Sequence, residues 1–183
     1  MPDEPVPDSK GVCKADYHPV LAADINGDGK VDIRAGGYVT GQTYFFENKG
    51  WNKDHTPILH SDGKVYADGK PLDVGWAASP TIADVNGDGL LDIITGDMPM
   101  TKDGGDSGSG ENFLYYFKNV GIKSSPKFAK QKFPVKGTFP VGRLAAPRLV
   151  DLNADGLLDL VVGQVRDLSI YYDVGTKTAP LWE

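Results

Sequence analysis

Three nine-residue segments of this chain place side-chain oxygens where a hard cation would want them. They run Asp24-Ile25-Asn26-Gly27-Asp28-Gly29-Lys30-Val31-Asp32, Asp84-Val85-Asn86-Gly87-Asp88-Gly89-Leu90-Leu91-Asp92 and Asp151-Leu152-Asn153-Ala154-Asp155-Gly156-Leu157-Leu158-Asp159. Oxygen-bearing side chains fall at positions 1, 3, 5 and 9, and a glycine sits at position 6, where the chain must turn sharply. Position 7 is Lys30, Leu90 or Leu157, a variation that suits a backbone carbonyl ligand. Calcium takes six to eight oxygens in a flexible cage, and one short loop of this spacing can supply them. No His or Cys lies in any of the three segments, which argues against zinc, copper and iron. The expected cofactor is calcium, about three ions per chain.

A helix-loop-helix calcium site does not fit. That motif needs a bidentate Glu at position 12 and a helix after the loop. Position 12 here is Ala35, Thr95 or Val162. The following segments, Ile33–Gly36, Ile93–Gly96 and Leu160–Gly163, are short and end at glycine, which reads as buried strand. Plain hairpin turns would account for the Asn-Gly and Asp-Gly pairs. They would not account for three aspartates at fixed offsets in each loop, which repel one another unless a cation lies between them.

The elements around the loops repeat as well. Loop starts are 60 and 67 residues apart (84 − 24 and 151 − 84), the scale of a supersecondary unit. Each loop is preceded by an X-Pro segment ending at Pro19, Pro80 or Pro147, and the first has one extra residue before its loop, a predicted bulge. Each is followed by an aromatic run (Tyr44-Phe45-Phe46, Tyr115-Tyr116-Phe117, Ile170-Tyr171-Tyr172), whose alternate residues should face neighbouring units. A polar turn at Asn48, Asn119 or Asp173 comes next, then a short element starting at Pro57, Pro126 or Pro180. About four short strands per unit and no 3.6-residue apolar period predict an all-β chain without long helices. Four antiparallel strands per repeat describe a β-propeller blade.

These words resemble the FG-GAP or VCBS repeat family, the blades of integrin alpha-chain heads and of many secreted bacterial proteins. The resemblance covers roughly residues 17 to 183 and implies that each loop joins the first two strands of a blade and binds calcium. The ligands implied are Asp24, Asn26, Asp28, Lys30 and Asp32, then Asp84, Asn86, Asp88, Leu90 and Asp92, then Asp151, Asn153, Asp155, Leu157 and Asp159. Two departures stand out: Ala154 replaces a loop glycine, and Arg34 interrupts an apolar strand. Neither removes a ligand. The expected division is an N-terminal extension over 1–16, repeats over 17–78 and 79–145, and a truncated repeat over 146–183. Propellers close with four to eight blades, so three would leave apolar flanks and open edges. A fragment or subunit of a larger assembly is therefore expected, its copies or a partner covering those flanks.

Composition narrows the function. A net charge of −6 without a basic cluster makes nucleic acid a poor partner. Nine of the 25 acidic residues belong to the loops, and three calcium ions would cancel the excess. No apolar run approaches the ~20 residues of a membrane span. Cys13 is the sole cysteine, so no intrachain disulfide can form. Calcium is abundant outside the cytosol, which points to an extracellular, cell-surface or periplasmic location.

Outside the repeats, Met98 to Asn112 is a Gly/Ser-rich insert, read as a solvated loop. Trp51 to Trp76 is a longer connection with Asp-Gly pairs at 62–63 and 68–69, read as turns of an added hairpin. Trp76 and Arg143, each four residues before a repeat proline, are candidate contacts for a sugar and its carboxylate. Packing is the simpler role for Trp76, and the same holds for Trp51 and Trp182. The leading reading is a non-catalytic calcium-stabilised module for extracellular binding or assembly, with other blades, protein subunits or a polysaccharide as partners. The alternative is a scaffold fragment of a polysaccharide lyase, with Arg143, His18 and Tyr17 as candidate groups but no motif joining them. No catalytic residue is assigned.

Overall fold

The computed structural model describes residues 17–97, 114–137 and 141–183. The expected extension over 1–16, Cys13 and the insert from Met98 to Asn112 lie outside them, as do the side chains of Tyr17 and His18. Every regular element of the described residues is a strand, and no helix among them is long and apolar enough to cross a membrane.

The first blade is a four-stranded antiparallel meander of β1 (Tyr17–Ala23), β2 (Asp32–Gly37), β3 (Thr43–Trp51) and β4 (Pro57–Lys64). The extra residue after Pro19 shows as a register shift between Tyr17 and Val20. A two-stranded hairpin follows, β5 (Tyr66–Ala67) and β6 (Lys70–Pro71). Its turn is Asp68-Gly69, both at positive φ (51° and 74°), the conformation that a tight two-residue hairpin needs. The other Asp-Gly pair corrects the expectation. Gly63 lies inside β4 at φ 78°, and the register shifts there between Phe45 and Phe46. It is a bulge rather than a turn, because β4 must bend to follow the twisted β3.

The second blade contains β7 (Ser79–Ala83), β8 (Asp92–Gly96), β9 (Leu114–Asn119) and β10 (Phe128–Gln131). Its outer edge is not free. β5 pairs parallel to β10 at Ala67 and Phe128, so the hairpin that follows the first blade is sewn to the second. The third blade has β11 (Ala146–Val150), β12 (Asp159–Gly163) and β13 (Leu168–Tyr171), with Trp182 bridging back to Asp173. The same stitch recurs there: Val135, beyond β10, bridges parallel to Trp182. Lys136 N donates to Trp182 O at 2.8 Å and Trp182 N to Pro134 O at 3.1 Å.

The first strands β1, β7 and β11 pack side by side, as the inner strands of adjacent propeller blades do. The strands alternate faces. In β8, Ile93 and its partner Phe117 pack with the first blade's Phe45, and Ile94 and Tyr116 pack with Leu160, Val162 and Tyr171 of the third. The forward face of the third blade is open: Leu168 is 66% and Ile170 44% exposed, with Val150 and Tyr172 beside them. The fold is therefore three consecutive propeller blades with one apolar flank uncovered.

The second and third blades approach closely at Gly96. An ideal Cβ there would lie 1.9 Å from the Ala145 carbonyl oxygen, whereas one on Gly163, the equivalent on the open blade, meets nothing nearer than 3.9 Å. Gly96→Ala is expected to cost about 3 kcal/mol or more by overpacking and Gly163→Ala less than about 1 kcal/mol, as read by chemical denaturation.

Candidate metal centre

Each loop joins the first two strands of its blade, and all three follow one hydrogen-bonding plan. The position-1 carboxylate draws in the far side of the turn. Asp24 accepts from Gly27 N (2.7 Å) and Gly29 N (3.1 Å), Asp84 from Asp88 N (3.0 Å) and Gly89 N (2.9 Å), and Asp151 from Asp155 N (3.2 Å) and Gly156 N (3.0 Å). The position-3 amide oxygen accepts the position-5 N–H at 3.0 Å in every loop. The position-5 carboxylate accepts the position-7 N–H at 2.8–3.0 Å. Short polar side chains at alternate positions thus hold the backbone in successive Asx turns.

Position 9 differs in kind. Asp32, Asp92 and Asp159 are 0% exposed, and each begins its second strand. One oxygen accepts a backbone N–H at the far end of the third strand: Asn48 at 2.9 Å, Asn119 at 2.7 Å, Asp173 at 2.9 Å; in the first blade the expected turn at Asn48 is instead a register shift within β3. In the outer loops the other oxygen accepts from position 2, Ile25 at 3.1 Å and Leu152 at 3.0 Å. In the second blade, Tyr116 Oη also donates to Asp92 Oδ2 at 2.9 Å. Burial pushes the Asp92 carboxyl above its ordinary value, and the Asp88 charge adds to this against the Asn119 and Tyr116 hydrogen bonds. One carboxylate thereby ties loop, second strand and the end of the third strand together.

Asn48, Asn119 and Asp173 are the part of the site that sequence reading passed over. Their own side-chain oxygens accept from Gly50, Gly121 and Gly175 at 2.8–2.9 Å. Their recurrence after each aromatic run was the available signal.

Among the described residues no three His, Cys, Asp or Glu side chains converge as a ready-made ion cage. The loops nevertheless fit calcium by the chemistry of their donors. Most of their carboxylate oxygens spend one lone pair on an N–H, and an ionised carboxylate has about four acceptor sites. All the donors are hard oxygens, and the charge is excessive for a bare loop. Two loops already borrow cations: Lys30 Nζ lies 2.6 Å from Asp28 Oδ2 and Lys118 Nζ lies 3.2 Å from Asp88 Oδ2. Lys30 holds the Asp28 carboxyl below its ordinary value. The third loop has the neutral Asn153 amide on Asp155 at 2.8 Å instead.

Ala154 is explained by its surroundings. Gly87, at the same loop position, has φ +68°, and a Cβ there would lie 2.7 Å from Lys177 O of the next blade. Ala154 has a similar φ of 61° but stands exposed, where no further blade crowds it.

The remaining candidates scatter. Trp76 is half-buried and meets Tyr38 edge-on at 6.1 Å. Arg143 is partly buried just before β11, and its carbonyl accepts from Val165 N at 3.2 Å. The two lie on the approaches to different blades. Trp182 is a packing residue, 1% exposed, its indole N–H donating to Leu158 O at 2.8 Å. Trp51, 56% exposed at the end of β3, corrects the expectation of packing.

Just past β8, at the end away from the loop, buried Asp97 accepts from Tyr115 Oη at 3.0 Å, while its Oδ1 has no partner. Burial pushes this carboxyl from 3.8 up to about 6. The folded state holds the proton more tightly than the unfolded one, so this group's contribution to stability falls as pH rises from about 4 to about 6. Asp97→Asn is expected to be more stable than the parent by about 1 kcal/mol at pH 7 and level with it at pH 4, as read by paired denaturant titrations.

A model of the FG-GAP-like repeat matches residues 24–95, the first loop through the strand after the second. Integrin alpha-PS3 of Drosophila melanogaster is 29% identical over 164 residues, covering 83% of this chain and 14% of that protein. Integrin alpha-IIb of Mus musculus is 29% identical over 161 residues, covering 80% and 14%. The chain thus spans about one seventh of the length of these relatives. The resemblance to FG-GAP repeats and to integrin alpha-chain blades, read first from the loops, holds.

Proposed function

We propose that the chain is a calcium-binding stretch of propeller blades that serves extracellular adhesion or assembly, with the metal in a structural role. One observation carries the reading: three loops of the same acidic composition share one hydrogen-bond plan, each anchored by a fully buried aspartate. Bound there, calcium would supply charge neutralisation. The residues to hold it are the side-chain oxygens of positions 1, 3, 5 and 9 with the position-7 carbonyl. The chain's own part is to keep those oxygens preorganised. Its Asx turns set positions 1, 3 and 5, and the buried aspartate couples a filled loop to the strand order of the blade.

The relatives are integrin alpha chains, which favours a protein partner over a polysaccharide. The open flank at Val150, Leu168, Ile170 and Tyr172 is the surface on which a further blade would sit. Native mass spectrometry in calcium and after chelation tests the reading. The expected result is three ions per chain, lost on chelation. A chain that takes up no calcium would overturn it.

The lysine beside the second loop gives a sharper check. Lys118 repels an incoming cation, so Lys118→Met is expected to tighten calcium binding there about two- to fivefold, the worth of one surface ion pair. Calorimetric titration in an Asp28→Ala, Asp155→Ala background isolates that loop.

A further inference from the structure

The second loop is held by a group that the other two lack. Tyr116 Oη donates to Asp92 Oδ2 at 2.9 Å. Asn86 Nδ2 donates to the same oxygen at 3.3 Å and lies 3.5 Å from the phenol oxygen. Two members of this triangle are the position-3 and position-9 residues of the loop. The amide can face only one way: Asn86 Oδ1 accepts from Asp88 N at 3.0 Å, which leaves its nitrogen for Asp92 and Tyr116.

At the corresponding places in the other blades stand Phe45 and Ile170, which pair with Arg34 and Val161 as Tyr116 pairs with Ile94. Neither carries a hydroxyl. The position-3 amides of those loops find other partners. Asn26 Nδ2 lies 3.2 Å from Glu47 Oε1, whose other oxygen Lys49 holds. Asn153 Nδ2 lies 2.8 Å from Asp155 Oδ2, a carboxylate of its own loop. Tyr116 is itself fixed. It is 7% exposed, and its ring belongs to the core shared with the third blade, among Leu160, Val162 and Tyr171. The hydroxyl therefore stands where two packed blades put it, independently of the loop.

We propose that Tyr116 is a positioning residue for calcium in the second loop, its hydroxyl holding Asp92, and beside it Asn86, in the orientation that ligates. This rests on the calcium reading above. A hydrogen bond from outside the ligand set fixes a ligand's orientation and is worth a large factor in metal affinity. The bond does not exhaust Asp92. A carboxylate has about four acceptor sites, and Asn119 N takes one on Oδ1 while Tyr116 and Asn86 share Oδ2. A hydroxyl with a merely structural role would stabilise the fold equally with and without calcium.

The test is an NMR titration of the full chain with calcium, starting from chelated protein and following the backbone amides of Gly29, Gly89 and Gly156. Each donates to the position-1 carboxylate of its own loop and so reports that loop. Tyr116→Phe keeps the ring and removes the hydroxyl. It is expected to raise the calcium concentration at the Gly89 midpoint by about tenfold or more, as loss of an outer partner does. The Gly29 and Gly156 midpoints are expected to stay within about twofold, as independent sites do. On the parent protein, the Asn86 side-chain amide is expected to give two separate proton lines with nuclear Overhauser contacts to the Tyr116 ring, a measurement that needs no variant. An unchanged Gly89 midpoint in a folded Tyr116→Phe protein, an equal shift at all three glycines, or no contact between the Asn86 amide and the Tyr116 ring would each overturn the role of Tyr116 and leave the calcium reading standing. If none of the three glycines responds to calcium in the parent, both fall.

Discussion

Asp92→Ala is expected to lower the unfolding free energy by about 2–5 kcal/mol even with calcium chelated, the range for leaving two buried donors unmet. The carboxylate is fully buried and accepts from Asn119 N at 2.7 Å and Tyr116 Oη at 2.9 Å. Alanine would leave these donors facing apolar neighbours, at about 1–3 kcal/mol for each unmet group. The expectation separates position 9 from position 5. Asp88 is exposed, and its carboxylate meets only the Leu90 N–H and the partly exposed Lys118 ammonium, so Asp88→Ala without calcium is expected to stay within about 0.5 kcal/mol of the parent, as surface substitutions do. Urea unfolding of both variants in chelator makes the comparison. Equal, small losses would mean that Asp92 matters only as a ligand and that the strands hold together without it.

Calcium removal is the other large effect. A ligand that binds only the folded state at 100 times its dissociation constant adds about 2.7 kcal/mol, and three independent loops would add about 8 kcal/mol. For a chain of this length that corresponds to a fall in melting temperature of more than about 10 °C on chelation. Asp88→Ala or Asp155→Ala should each remove about one third of the calcium increment, with the strand content by circular dichroism unchanged. Magnesium should restore less, because it demands tighter octahedral geometry and gives up water reluctantly. A calcium response that is unaltered in both variants would sink the ligand assignment.

Much of this molecule was legible before any coordinates, and the reason is local. A nine-residue loop is written by its own residues: Asp24, Asn26 and Asp28 bond to backbone groups two to five residues away. Tertiary context can scarcely alter what such a segment does. The strands after the loops were legible for a similar reason, since Ile93-Ile94 and Leu160-Val161-Val162 are apolar on both faces and end at glycine. The Asp68-Gly69 turn obeyed local φ preferences.

What escaped prediction depended on partners distant in sequence. Asp62-Gly63 has the same composition as a turn, but β3 runs alongside it and makes it a bulge. Trp51 and Trp182 look alike in a sequence, yet one is exposed and the other lies under the third blade, because only the latter meets the stitch at Val135. Arg34 read as a break in an apolar strand; the rings of Phe45 and Phe128, 11 and 94 residues away (45 − 34 and 128 − 34), turn it into a buried cation.

By itself, then, the amino-acid order determined the loops, the strand periodicity and the repeat, all of which rest on interactions within a few residues. The tertiary structure decided which edge each hairpin joins, which tryptophan is covered and which arginine is buried between two rings. Those outcomes depend on which blade stands next to which, and adjacency between blades is a property of packed sheets that no single segment encodes.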